Sequence, residues 1–145
     1  MEKIKPSIAT LGYIGYFPAP GTMGTLVTLP LLYLLLHLPA FYYAGIVFGI
    51  AIGAYIAINK VITISDVKDP SEIVIDESVG ILFACIGLSC SLDILAASFL
   101  LFRFFDILKP CGIAYFEKLP GAWGILIDDI IAGVCANITI RLLLL

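Results

Sequence analysis

Residues 69–91 read DPSEIVIDESVGILFACIGLSCS. The stretch passes from an acidic, turn-prone beginning into an almost uninterrupted apolar run. Asp69-Pro70-Ser71-Glu72 has the form of a helix start, with Asp69 as N-cap, Pro70 at the first helical position and Glu72 completing a capping box. This reading predicts a helix that begins near Pro70 and runs through Val79–Ser91. On such a helix Glu72 and Asp76 lie four residues apart on one face, where two like charges repel unless a cation sits between them. Asp76, Gly80 and Ala84 continue that face with small residues, as expected where helices in a membrane bundle approach closely.

The pattern recurs along the chain. Further apolar runs cover Leu26–Leu36, Phe41–Ile58, Ile94–Phe102 and Ile130–Leu145, the last interrupted by Asn137 and Arg141. At about 1.5 Å rise per residue a full span takes roughly 20 residues. Phe41–Ile58 nearly suffices, and the other runs reach span length only by extending into the polar clusters. The expected architecture is therefore an all-α, compact multi-helix membrane bundle, one domain over residues 1–145, with a polar site at one membrane face. Two hairpins followed by a last helix put the charged clusters on one side, together with Lys3, Lys5, Lys60, Lys68, Arg103, Lys109 and Lys118. The positive-inside rule makes that side cytoplasmic.

Composition narrows the function classes. Hydrophobic residues make up 61% of the chain and charged residues 13%, against about half and about a quarter in an ordinary soluble domain. Mean hydropathy is +1.12. The net charge of −3 argues against nucleic acid as a partner. The four cysteines form no C-x-x-C pair and there is one histidine, so a zinc site is not expected and the thiols read as small hydrophobes. No compact apolar segment with a cleavage site follows Lys3 and Lys5, so a cleaved signal peptide is not expected.

Eight of the eleven carboxylates fall into three groups: Asp66, Asp69, Glu72, Asp76 and Glu77; Asp106; and Asp128 with Asp129. Carboxylates beside apolar runs are costly unless solvated, paired or bound to a cation, and the clustering points to a metal site at a membrane surface. Arg103, Asp106 and Lys109 lie along one helix side, ended by Pro110. They serve either as an ion-pair ladder or as phosphate ligands with Asp106 bridging to a metal. Asp129, Gly133 and Asn137 form a polar, small-residue stripe that should face the bundle interior. Pro20-Gly21-Thr22-Met23-Gly24-Thr25 precedes an apolar helix and reads either as a helix-entry turn or as an anion cradle of N–H groups. Cys135 and Arg141 match the C-x5-R spacing of cysteine phosphatases, but the intervening Ala-Asn-Ile-Thr-Ile belongs to a continuous helix and cannot curl around a phosphate.

Four blocks, taken in order, resemble the phosphatidylglycerophosphatase A family: Pro18–Thr25, Asp69–Glu77, Phe102–Pro110 and Gly124–Gly133. Met23 and the Cys111-Gly112 pair depart from the family pattern without removing a charged group. The resemblance implies an all-α fold and an enzyme, a phosphoric monoester hydrolase. It implies Mg²⁺-dependent hydrolysis of phosphatidylglycerophosphate to phosphatidylglycerol at the bacterial inner membrane, with the protein multi-pass and its site facing the cytoplasm. The partners expected on this basis are a phospholipid substrate and the bilayer. Asp76, Asp128 and Asp129 are then expected to hold one or two Mg²⁺ ions, with Asp69, Glu72, Glu77 and Asp106 as further candidates. Asp76, Asp106, Asp128 and Asp129 form the expected catalytic set. Phosphate binding falls to Lys60, Arg103 and Lys109, aided by Gly21, Thr22, Gly24 and Thr25. Water attack is expected rather than a phospho-aspartate, since no Asp-x-Asp motif is present. The alternative from another class is a small membrane transporter or channel subunit with an acidic ion path.

Overall fold

The computed structural model describes residues 7–65, 70–110 and 112–144. Among them are five α-helices: α1 (Pro20–Leu35), α2 (Ala40–Ser65), α3 (Ile75–Ala84), α4 (Leu92–Leu108) and α5 (Ala122–Leu144), with 3₁₀ turns at Ile14–Tyr16 and Ile113–Lys118. The described residues contain no β-strand. Asp66, Lys68, Asp69 and Cys111, and the N-terminal Lys3 and Lys5, lie outside the described residues.

The short helix α3 is the hub, in contact with α1, α2, α4 and α5. Nine of its ten residues are buried. Glycines set the approach of α5: a methyl group at Gly133 would overlap the Gly80 carbonyl oxygen, and one at Gly80 would overlap the Phe102 ring. The small-residue faces expected on α3 and α5 thus meet each other. α1 closes on the start of α3 in the same way, Gly24 lying against Val74 and the Thr28 and Ser78 hydroxyls 2.7 Å apart.

Helix α2 is 26 residues long, about 39 Å at 1.5 Å per residue, and is long and apolar enough to cross a membrane. Its inner side buries Tyr43, Val47, Ala51, Ala54 and Ile58. Phe41, Phe48, Ile52, Ile56 and Ile64 face outward. Helix α4 opens with Ser91 accepting a hydrogen bond from the Ile94 amide at 3.3 Å and closes on Lys109 in the left-handed conformation, before Pro110, as the sequence led us to expect.

One expectation is corrected. The third helix begins at Ile75, not near Pro70. Pro70–Ile73 is a turn closed by the Ile73 amide on the Pro70 carbonyl, and the Val74 and Ile75 amides donate to the Ala9 carbonyl at 3.0 and 3.2 Å. The chain entering α3 is thus anchored to a long-range acceptor in the N-terminal loop. Glu72 consequently lies before the helix and shares no helical face with Asp76. The last helix extends from its apolar run into the polar cluster, as expected, starting at Ala122, so Asp128 and Asp129 sit inside it.

Candidate active site

Three helix segments and one turn bring the acids together. Asp76 and Glu77 occupy the first turn of α3, Asp106 the last turn of α4, and Asp128 and Asp129 the second turn of α5. All five line one cavity of about 390 Å³, with Lys109 and Glu117. Carboxylate oxygens of Asp76, Glu77 and Asp129 lie within 4.8 Å of one another. These acids are scarcely solvated: Asp76 is 8%, Asp128 5% and Asp129 4% exposed. Asp76 Oδ1, Glu77 Oε2 and Asp128 Oδ1 are buried without a hydrogen-bond partner.

Leaving anionic oxygens buried and unpaired is unfavourable, and the ionisation behaviour agrees. Burial, and then the neighbouring charge of Glu77, push the Asp76 carboxyl well above the usual range. Burial likewise raises Glu77. A divalent cation among these oxygens would reverse both effects, and the donor set, carboxylate oxygens only, suits a hard ion such as Mg²⁺. The residues present therefore fit the expected metal.

The cationic partners are arranged around this trio. Lys109 Nζ donates to Asp128 Oδ2 at 2.6 Å and lies 3.4 Å from Glu117 Oε1. Burial disfavours its charge, but the hydrogen bond and charge of Asp128 prevail and hold the ammonium above the ordinary lysine range. Arg103 Nη1 donates to Asp106 Oδ2 at 2.5 Å, so the first half of the ion-pair ladder forms. Lys109 leaves the helix line and turns to α5 instead. Arg103 Nη1 also borders Gly21, where a methyl group would overlap Glu77 Oε1. Gly21 thus makes room for the Glu77 carboxylate.

Other candidates lie elsewhere. Lys60 is exposed on α2 and is not part of the cavity wall. Gly24 is occupied in packing, and the buried Thr25 hydroxyl donates to the Gly21 carbonyl at 2.9 Å. Thr22 is half-buried in the first turn of α1. Glu72 is half-buried before α3, its carboxylate 3.5 Å from the Ser71 hydroxyl, and does not line the cavity. Glu117 is the residue that sequence reasoning missed. It is an isolated acid in the 3₁₀ turn, and its signal was position alone, between the Lys109 helix end and the Asp128 helix start.

Comparison with known proteins follows the same lines. Residues 7–144 match the phosphatidylglycerophosphatase A family. The chain is 39% identical over 118 residues to the phosphatidylglycerophosphatase A of Escherichia coli, covering 79% of this chain and 68% of that one. It is 40% identical over 127 residues to that of Haemophilus influenzae, covering 85% and 77%. A Bacteroides thetaiotaomicron protein provisionally named a phosphatidylinositol-3-phosphatase is 35% identical over 135 residues, covering 87% and 84%. No solved structure matches. The chain, with its acids gathered from three helix segments into one cavity, belongs to the phosphatidylglycerophosphatase A family.

Proposed function

We propose that this protein is a Mg²⁺-dependent membrane phosphatase that hydrolyses phosphatidylglycerophosphate to phosphatidylglycerol and phosphate. The observation that carries the reading is the trio Asp76, Glu77 and Asp129, with carboxylate oxygens within 4.8 Å of one another, beside the Lys109 ammonium in one cavity. The family membership and the names of the relatives supply the lipid phosphate monoester as substrate.

Asp76, Glu77 and Asp129 would hold the metal, with Asp128 and Asp106 beside it. When bound, Mg²⁺ polarises the phosphoryl group and lowers the pKa of a coordinated water. Lys109, fixed between Asp128 and Glu117, neutralises phosphate oxygens as they enter. Arg103, paired with the cavity-lining Asp106, adds a second positive charge behind that wall. Asp128 Oδ1, which has no partner, accepts the proton of the attacking water as the new P–O bond forms. The bond from phosphorus to the glycerol oxygen then breaks, and that oxygen takes the proton from Asp128 and leaves as a hydroxyl, returning Asp128 to its carboxylate form. Asp69, outside the described residues, stays a candidate outer ligand, and the α1 N-terminus near Gly21 a candidate phosphate neighbour.

In this reading α2 crosses the bilayer and α1, α4 and α5 are immersed with it as a multi-pass bundle. Helix α3, about 15 Å long at ten residues, is too short to cross, and its first turn lines the cavity, which opens at the cytoplasmic face of the bacterial inner membrane. The acids gather at one end of the bundle instead of stringing along it, which disfavours an ion path. The test is phosphate release from phosphatidylglycerophosphate in detergent micelles. Release that EDTA abolishes and excess Mg²⁺ restores supports the reading; release indifferent to EDTA removes the metal, and no release from folded protein removes the substrate.

A further inference from the structure

The turn that carries Glu117 into the cavity has a second side. Ile113 is buried as its anchor, and the Leu119 amide closes it on the Phe116 carbonyl at 3.0 Å. Gly124 of α5 lies so close beneath it that a methyl group there would overlap the Leu119 carbonyl oxygen. The turn is therefore clamped to α5, and its outward side chains are held out by the fold. Those side chains are Tyr115, 76% exposed, with Phe116, Leu119 and Trp123 also exposed. The Lys118 ammonium sits over the Tyr115 ring, 4.8 Å from its centroid. Exposed aromatic side chains beside a cation match the headgroup level of a bilayer, apolar below and phosphate-bearing above.

Depth is fixed independently through α2. The Trp123 ring packs on Tyr55, with centroids 4.5 Å apart. Along α2 the polar pair Asn59-Lys60 is exposed, marking where the helix leaves hydrocarbon. Tyr55 lies four residues before Asn59, about 6 Å deeper at 1.5 Å per residue. Trp123 is thereby held just inside the boundary between headgroups and acyl chains. Leu119 belongs both to this exposed patch and to the cavity wall, so the patch adjoins the acid site through this side chain.

We propose that the Tyr115–Trp123 segment is seated in the lipid interface and forms a lateral entrance, over which a phospholipid brings its terminal phosphate into the cavity while its acyl chains stay in the bilayer. The entrance rests on the phosphatase reading; the seating does not, and the two are tested separately. Trp123 is the sole tryptophan, so its fluorescence reports the segment directly. The protein is reconstituted in phosphatidylcholine vesicles brominated either near the head or near the methyl end of the acyl chain. Bromine near the head should quench Trp123 at least twofold more than bromine near the methyl end, and iodide in the water phase should quench weakly. Dominant quenching by the deep bromine, or by iodide alone, would overturn the seating whatever the enzyme does. For the entrance, the pair Tyr115→Ser with Phe116→Ser touches neither the cavity wall nor the acids. It should raise the apparent KM for long-chain lipid phosphate in mixed micelles about tenfold, leaving hydrolysis of a short-chain, water-soluble phosphatidylglycerophosphate unchanged. Equal loss on both substrates, or on neither, would overturn the entrance.

Discussion

The two ends of α3 treat their polar groups in opposite ways. At the C-terminal end the carbonyls are supplied with donors. The Tyr43 hydroxyl donates to Leu82 O at 2.7 Å, and Asn137 Nδ2 to Ala84 O and Ile86 O at 2.8 and 3.0 Å. Arg141 donates from Nη2 to Ile86 O at 2.9 Å and from Nε to the Asn137 carboxamide oxygen at 2.8 Å. A helix that ends inside an apolar bundle must find such partners. At the N-terminal end, by contrast, Asp76 and Glu77 keep buried carboxylate oxygens with no partner. One end is finished by the chain itself; the other leaves buried carboxylate oxygens unpaired. That contrast separates the structural stripe of α5 from its chemical one, although Asp129 and Asn137 lie on the same face.

The largest expected effect comes from the unfinished end. Asp129→Asn keeps the size of the side chain and removes a charge from the trio, so turnover should fall by on the order of 10²–10³-fold, the scale of losing one preorganised electrostatic group. Thermal unfolding of the metal-free variant should be unchanged or shifted upward, since repulsion is relieved. Phosphate release and a circular-dichroism melt on the same preparation check both. Near-normal activity would remove Asp129 from the site and erase the contrast.

Next comes the joint between the two ends. Ala at Gly133 presses a methyl group onto the Gly80 carbonyl, and overpacking of this kind costs about 1–3 kcal/mol. Because Gly133 lies one turn from Asp129, Gly133→Ala should lower both the melting temperature and the turnover of the folded fraction. Loss of stability alone would mean that the acid cluster tolerates movement of α5 against α3.

The finished end should respond in stability only. Asn137→Leu leaves the Ala84 carbonyl without its side-chain donor and weakens the support of Ile86, a loss of about 1–2 kcal/mol. Turnover per folded molecule should stay within about twofold, because the site is about two helical turns away. A drop in turnover as large as that of Asp129→Asn would show that the two ends are coupled and not divided as argued.

The same division explains what could be read from the sequence. Long apolar runs and Pro110 placed α2 and the end of α4, because these depend on local chemistry. Asp76, Asp128 and Asp129 stood out because acids amid apolar residues require a reason. The start of α3 was not legible, since it is decided by the Ala9 carbonyl, more than sixty residues away in the chain. Gly24 and Thr25 looked like a phosphate cradle because packing against Val74 and a cradle both call for small residues. Glu117 was hidden by its ordinary surroundings; only the folded turn brings it to Lys109.

The most diagnostic test of the unfinished end needs no substitution. In the metal-free protein the Asp76 and Glu77 carboxyls are raised from their ordinary values of 3.8 and 4.5. The folded state therefore holds more protons than the unfolded chain as pH climbs above those values. Stability then falls as pH rises, contrary to the usual behaviour of a salt-bridged acid. The groups facing the pair are Asp129 and Asp106, which deepen the effect, and Arg103, which opposes it through Glu77. Melting temperature in EDTA should thus decline from mildly acidic toward neutral pH. Saturating Mg²⁺ should reverse the slope, because a cation binds only the deprotonated acids, and a ligand at a hundredfold its Kd adds about 2.7 kcal/mol. Asp76→Asn should flatten both curves. A melting temperature in EDTA that rose over the same range would mean that the chain's own Lys109 and Arg103 already satisfy the acids, and the two ends of α3 would then differ in sequence but not in kind.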